Sequence, residues 1–176
     1  MYLYITIVKE LLQDEKTVQA LNYIKDMKDI AEEMSFPCST NNPVTDILAG
    51  NKLGIAKSMG IDTSCSLVLP YPCTVRDIDF CIILSNALDN AINACKNLDN
   101  STGRYINVTG HKQGDFILIE IENSFQGKNM PQESTGLANI KAAARKYNGA
   151  VGIKTGNGIF TLSILLVIPQ HPDSIL

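Results

Sequence analysis

The chain has 176 residues, with 15 Lys+Arg against 18 Asp+Glu and a formal net charge of -3. That length suits one ordinary domain, or a domain with a short appended element, and 45% hydrophobic residues supply a real core. A mildly acidic balance with 6% aromatic residues excludes a nucleic-acid binder, whose affinity rests on clustered Lys and Arg, and no apolar run reaches the length of about 18 residues that spans a membrane.

The opening MYLYITIVKELL is apolar but lacks a basic leader and a small-residue cleavage site, so it is a poor signal peptide. Ile5, Val8, Leu11 and Leu12 recur at helical spacing. A polar break at Gln13-Asp14-Glu15-Lys16 separates them from a second stripe of Val18, Leu21, Ile24, Met27, Ile30, Ala31 and Met34. Residues 1–35 thus read as a helical hairpin whose apolar stripes need cover, from the domain body or from a second copy of the chain.

Residues 36–176 read as one further domain. A loop over 35–42 ends at Asn42, a helix cap, with Pro43 in the first turn and Gly60 as the stop. Val44, Ile47, Leu48, Ile55 and Ala56 are expected on that helix's buried side. A strand near 65–69 follows, then the long apolar helix 77–97. Strands near 104–110 and 116–122 turn at Lys112-Gln113-Gly114-Asp115. A polar stretch leads into helix 135–147, and strands near 150–155 and 159–168 meet at Gly156-Asn157-Gly158. Mostly hairpin-linked strands with helices over one face make an α+β two-layer sandwich.

Five cysteines, Cys38, Cys65, Cys73, Cys81 and Cys95, include no Cys-x-x-Cys pair, and the histidines are His111 and His171 alone. Neither a zinc site nor a disulfide framework is indicated. The thiols read as reduced structural residues in a cytoplasmic setting.

The chemistry concentrates in the helix DIDFCIILSNALDNAINACKN. Asn86, Asn90, Asn93 and Asn97 fall at i, i+4, i+7 and i+11, on a stripe roughly 60° wide, opposite Leu84, Leu88, Ala91, Ile92 and Cys95. A solvated helix face is the ordinary fate of such a stripe, yet Asn is a poor helix former and Glu, Lys or Gln would serve solvent better. Carboxamides offer a neutral oxygen to a hard cation and an NH₂ to a phosphate oxygen, so the stripe reads equally as a Mg²⁺-phosphate site. A second signal is the strand FILIEIENSF, a polar stretch, and Ser134-Thr135-Gly136-Leu137 opening a helix. Its backbone N–H groups suit an anion, although a plain helix entry capped by Ser134 or Thr135 explains it as well.

In this order the segments resemble a known superfamily. LSNALDNAINACK is similar to the N-box of the GHKL ATPases (gyrase, heat-shock chaperone ATPases, histidine kinases), and STGLANI to the G2 box after their ATP lid. The likeness is greatest to sensor histidine kinases of the quorum-sensing and citrate-sensing type, and it extends to NNPVTDILAGNKLGIAKSMGI and KYNGAVGIKTGNGIFTLSILLVIP.

The resemblance implies a Bergerat-type α/β sandwich behind a partial dimerisation hairpin, with ATP and Mg²⁺ as cofactors. Asn90 would ligate the metal, with Asn86 one turn earlier orienting water or a phosphate oxygen. Asn93 and Lys96 would face the phosphates. Asn123 would accept the adenine exocyclic amine, Ser134 and Thr135 would offer hydroxyls, and Gly136 and Leu137 would begin the helix beneath the phosphates. The implied reaction transfers the ATP γ-phosphoryl to a His outside this chain, since residues 2–34 contain none. The implied partners are a second copy through the hairpin, a response regulator and a membrane sensor region of a longer receptor. Where the family's G2 box has several glycines, Gln132-Glu133-Ser134-Thr135-Gly136 has one. This favours an alternative: a non-catalytic dimeric signalling module with a degenerate nucleotide site. Another GHKL ATPase or serine kinase is the third reading.

Overall fold

The computed structural model describes residues 2–14, 16–22, 24, 37–98, 103–126 and 134–168. The chain divides into two compact units, Met1–Ser35 and Phe36–Leu176. In the first, α1 spans Tyr2–Gln13, and the described residues 17–22 and 24 are also helical. The break falls at Asp14, whose carboxylate pairs with Lys16 at 3.1 Å. Leu12, Val18, Leu21 and Ile24 are all exposed, so these parts of the two stripes have no cover within the protomer. Met27, Ile30, Ala31 and Met34 lie outside the described residues.

The second unit runs α2 (Pro43–Ser58), β1 (Asp62–Leu67), α3 (Asp77–Lys96), β2 (Tyr105–Gln113), β3 (Phe116–Ser124), α4 (Thr135–Arg145), β4 (Ala150–Gly156) and β5 (Ile159–Val167). The strands form one mixed sheet in the order β1-β2-β3-β5-β4. β1 and β2 are parallel, with Cys65 opposite Val108, because α3 carries the chain back over the sheet between them. The other pairs are antiparallel. The β2–β3 hairpin is tighter than the sequence suggests: its strands extend to Gln113 and from Phe116, leaving Gly114-Asp115 as the loop. Asn157 and Gly158, at φ 52° and 78°, make the β4–β5 turn, where a two-residue hairpin of this hand demands positive φ twice.

Alternation along the strands decides which face is covered. Ile106 and Val108, then Ile117, Ile119 and Ile121, then Leu162, Ile164 and Leu166 are buried beneath the helices. The opposite face is polar and self-satisfied: Tyr105 Oη donates to Glu122 at 2.8 Å, Ser163 to Glu120 at 2.8 Å and Ser64 to Asn107 at 2.7 Å. The result is the two-layer α+β sandwich expected from the element order.

Asn42 caps α2, its Oδ1 accepting from the Thr45 N–H at 3.0 Å, and Pro43 opens the helix. One expectation needs correction. Val44 and Ile47 are exposed rather than buried, and Leu48 and Ile55 only half-buried. The buried stripe is Thr45, Ala49, Leu53 and Ala56, four positions within about 80° on a helical wheel, and Ile47 points away from it. Apart from Leu53, the buried positions are small residues, Thr45, Ala49, Gly50, Gly54 and Ala56, while the large Val44 and Ile47 stay outside.

α3 and α4 are joined by a buried charge cluster. Asp79 has no solvent exposure. Its carboxylate accepts from Arg76 Nε at 2.9 Å, Lys146 Nζ at 2.7 Å and Tyr147 Oη at 2.6 Å. Burial alone pushes this carboxyl up, but Lys146, Tyr147 and Arg76 outweigh it and hold the group well below the usual carboxylate range. A folded-state pKa below the unfolded one adds stability above the ordinary Asp range that disappears as pH falls through the folded value. Asp79→Asn should therefore cost about 2 kcal/mol at neutral pH, the scale of hydrogen bonds to a charged group. It should also flatten the loss of stability below about pH 4, where an ordinary Asp begins to protonate. Urea unfolding of both proteins across pH 2–7 checks this; parallel acid limbs would remove Asp79 as the cause.

Candidate functional site

The asparagine stripe of α3 lies where the sequence puts it, opposite a fully buried face of Leu84, Leu88, Ala91, Ile92 and Cys95. Asn86 turns its Nδ2 back to the Ile82 carbonyl at 2.7 Å, which leaves Oδ1 facing outward. That oxygen meets α4. A Cβ built on Gly136 would stand 3.2 Å from Asn86 Oδ1 and 3.5 Å from both amide atoms of Asn90. Gly136 is thus a close-approach glycine. A larger side chain would occupy the space in front of the two carboxamides.

Beside this contact is a pocket of about 210 Å³, partly open to solvent, lined by Asn90, Ala94, Asn123, Phe125, Ser134, Leu137, Ile153, Phe160 and Leu162. Its walls are mainly apolar. Phe125 and Phe160 pack at 5.8 Å between ring centroids with a 51° tilt. At the end of β3, Asn123 is buried and its Nδ2 donates to the Ser124 carbonyl at 2.8 Å. A carbonyl only accepts, so this bond fixes the carboxamide's orientation and leaves Oδ1 as what Asn123 offers the pocket.

α4 opens with Ser134 as its cap, Oγ accepting from the Leu137 N–H at 3.2 Å. The cap role therefore holds for Ser134, and the Leu137 amide is already engaged. Thr135 and Gly136 occupy the first helical positions, where N–H groups have no acceptor within their own helix. Thr135 is exposed and, like Asn93 and Lys96 farther along α3, is not among the pocket-lining residues. Gln132 and Glu133 lie outside the described residues, as does His171; His111 sits exposed near the end of β2.

The structure thus brings Asn86, Asn90 and Gly136 together at one side of a pocket that Asn123, Ser134 and Leu137 also line. It adds Phe125, Ile153, Phe160, Leu162 and Ala94, which sequence reasoning did not single out. Their only local signal is an apolar residue on the covered side of a strand or helix, shared by the whole core. No three His, Cys, Asp or Glu side chains gather at one point among the described residues. A divalent cation here would take a neutral carboxamide oxygen from Asn90, with the rest of its shell from phosphate and water. That donor set fits Mg²⁺, which keeps several waters and needs few protein oxygens.

A family model described as the GHKL domain matches residues 75–167, a span that holds α3, the pocket and all four strands from β2 to β5. The chain belongs to the GHKL domain family. No curated protein sequence matches it. Among solved structures, the catalytic domain of histidine kinase ThkA superposes with a TM-score of 0.60 at 13% identity, covering 74% of this chain and 94% of that one. The Acinetobacter baumannii histidine kinase AdeS gives 0.60 at 13% identity, covering 95% and 96%. The histidine kinase domain of the Erythrobacter litoralis EL346 blue-light activated histidine kinase gives 0.54 at 13%, covering 85% and 70%. At these identities the likeness is one of fold: this GHKL domain has the sandwich of histidine kinase catalytic domains.

The cap assignment in this GHKL domain has a measurable consequence. Ser134→Ala should cost about 1 kcal/mol, whereas Ser134→Gly should cost only a few tenths. Urea unfolding checks the order; equal losses would show that the hydroxyl bond to Leu137 is not what Ser134 contributes.

Proposed function

We propose that this GHKL domain is the ATP-binding catalytic part of a sensor histidine protein kinase, with Met1–Ser35 as part of its dimerisation hairpin. The observation that carries the reading is the meeting of Asn86 and Asn90 with Gly136 beside an apolar pocket that Asn123 lines. A planar base suits the pocket because Phe125, Phe160 and Leu162 give it apolar faces to lie against, while Asn123 Oδ1 accepts from an exocyclic amine. The triphosphate then lies toward the start of α4, where the Thr135 and Gly136 N–H groups and the positive end of the helix favour an anion. Asn90 supplies the protein oxygen for Mg²⁺, and Asn86 orients water or a phosphate oxygen beside it. When bound, Mg²⁺ neutralises charge on the phosphates. Asn93 and Lys96, exposed farther along α3, add a donor and a positive charge at the phosphate end.

Phosphoryl transfer needs positioning and charge compensation more than covalent help from the protein. A site of carboxamides, backbone amides and one lysine is adequate to it. The acceptor on this reading is a His on a helical segment outside this chain, because residues 2–34 contain no histidine. A second copy, paired through the uncovered Val18, Leu21 and Ile24, and a response regulator are the partners it implies; a strict monomer by light scattering at high concentration would remove the pairing.

Calorimetry should show ATP or ADP binding that strengthens with Mg²⁺. Asn90→Ala should abolish the Mg²⁺ effect and leave the thermal midpoint nearly unchanged, because Asn90 is half-buried and its side chain makes no hydrogen bond to a described residue. Absence of binding heat at millimolar nucleotide would sink the catalytic reading in favour of a non-catalytic signalling module. With radiolabelled ATP and Mg²⁺, the chain should stay unlabelled while a supplied helical hairpin containing the acceptor His takes up acid-labile, base-stable phosphate. Such a label on His111 or His171 would contradict the assignment of an external acceptor.

A further inference from the structure

Cys38 and Cys65 are 27 positions apart in sequence, yet their sulfurs lie 2.8 Å apart. That is inside the contact distance of two unbonded sulfurs and within about 1 Å of the roughly 2.05 Å bond length. Both thiols are half-buried, so a small oxidant has access to them. Cys65 is on β1, the strand at one edge of the sheet. Cys38 lies in the segment that enters the second unit, close after the boundary at Phe36.

The backbone around the pair already holds the two segments together. The Leu69 N–H donates to the Thr40 carbonyl at 2.7 Å, and Asn41 Nδ2 donates to the Leu69 carbonyl at 3.3 Å. Asp46 Oδ1 accepts from the Thr40 N–H at 2.5 Å and from its hydroxyl at 2.6 Å. Cys38 stands just outside this fastening, on the side toward the first unit.

The other thiols differ. Cys95, in the last turn of α3, is buried and donates to the Tyr105 and Ser124 carbonyls, and burial pushes it and Cys81 up. Cys73 Sγ accepts from the Val75 N–H at 3.4 Å. Within the close pair, the hydrogen bond between the two thiols draws Cys65 down to about 7 despite its burial, and the same bond raises Cys38. Cys65 is thus the thiol that ionises the more readily, which suits it as the attacking cysteine and Cys38 as the resolving one.

We propose that Cys38 and Cys65 form a reversible disulfide in response to a peroxide, tying the segment that enters the GHKL domain to its edge strand. The Cys65 thiolate attacks one oxygen of the peroxide. An S–O bond forms as the O–O bond breaks, and the leaving hydroxide takes a proton to become water. Cys38, losing its proton, then attacks the Cys65 sulfur. The S–S bond forms as the S–O bond breaks, and the second oxygen leaves as water. Two thiols are oxidised by two electrons and one peroxide is reduced to two waters. A dithiol reverses the process by thiol–disulfide exchange. None of the residues lining the nucleotide pocket lies on β1, so the pair works without reference to the proposed ATP site.

The test treats the full chain with hydrogen peroxide, alkylates the remaining thiols under denaturing conditions and maps the peptides by mass spectrometry. A Cys38–Cys65 cross-link lighter by two hydrogens should appear, dithiothreitol should remove it, and Cys73, Cys81 and Cys95 should remain alkylated. The oxidised protein should melt about 5–10 °C higher, because the cross-link restricts the unfolded chain. Hydrogen exchange of amides 38–41 should slow. Cys38→Ser should stop at a Cys65 sulfenic acid that dimedone traps. Unoxidised Cys38 and Cys65, or oxidation spread evenly over all five thiols, would overturn the proposal. The wild-type mapping decides even if a serine variant fails to fold.

Discussion

The arrangement of the site depends on the buried carboxylate of Asp79. It sits in the first turn of α3 and binds Lys146 and Tyr147, which follow the last turn of α4, so it joins the start of one helix to the end of the other. Measured from that joint, Asn86 and Asn90 are seven and eleven residues along α3, and Gly136 is ten residues back from Lys146 along α4. At about 1.5 Å per residue, these are spans of roughly 10–17 Å in both helices. Two antiparallel helices fastened at one end therefore bring the carboxamides and the glycine to the same level. The contact between Gly136 and Asn86 is the far end of a frame whose near end is Asp79. The stability of the joint and the geometry of the site are one property seen at two places.

The choice of carboxamides follows from what surrounds them. A carboxylate at Asn90 would hold a cation more strongly, but it would also stand beside an incoming polyanion and the apolar walls of Phe125, Phe160 and Leu162. On the proposed reading, a neutral oxygen avoids that repulsion and leaves the cation dependent on the nucleotide's own phosphates. The charge that the sequence does place near the stripe, Asp89, lies on another side of α3 and is paired with Lys52 at 2.5 Å. Apart from Lys96, the polar groups of the proposed site are dipoles that secondary structure has already fixed, so little needs to rearrange when a ligand arrives.

Features carried by local sequence were legible. The Asn stripe shows in the helical period, the caps at Asn42 and Ser134 in residue type, and the Asn157-Gly158 turn in its need for positive φ. What needed the fold was anything made by distant residues. Asp79 and Lys146 are 67 positions apart, and neither stands out where it occurs. Phe125, Ile153 and Phe160 come from separate segments and look like any covered apolar residue until the sheet order sets them around one space. The placement of Val44 and Ile47 failed for a related reason. Counting large apolar residues misses a helix whose packing face is made mostly of small ones, Thr45, Ala49 and Ala56 beside Leu53. Cys38 and Cys65 escaped because a thiol pair is recognised in sequence by close spacing, and these two meet only when β1 folds against the entering segment.

Sheet order also keeps the two chemistries apart. The pocket draws its strand residues from the end of β3 and from β5 and β4, whereas Cys65 of the cysteine pair is on β1, at the opposite edge. Between them lies β2, whose Ile106 and Val108 are locked into the core under α3. Among the described residues, no residue of β1 lines the pocket, so a covalent change there touches neither Asn123 nor the aromatic wall directly. What it does reach is the segment around Cys38, the only covalent link between the two units. Because interiors packed to this density do not deform gradually, a bond at the edge acts on the mobility of what it tethers and not on the shape of the pocket. Edge strand and entry segment therefore form a place where the freedom of the domain can be altered while its binding site keeps its geometry.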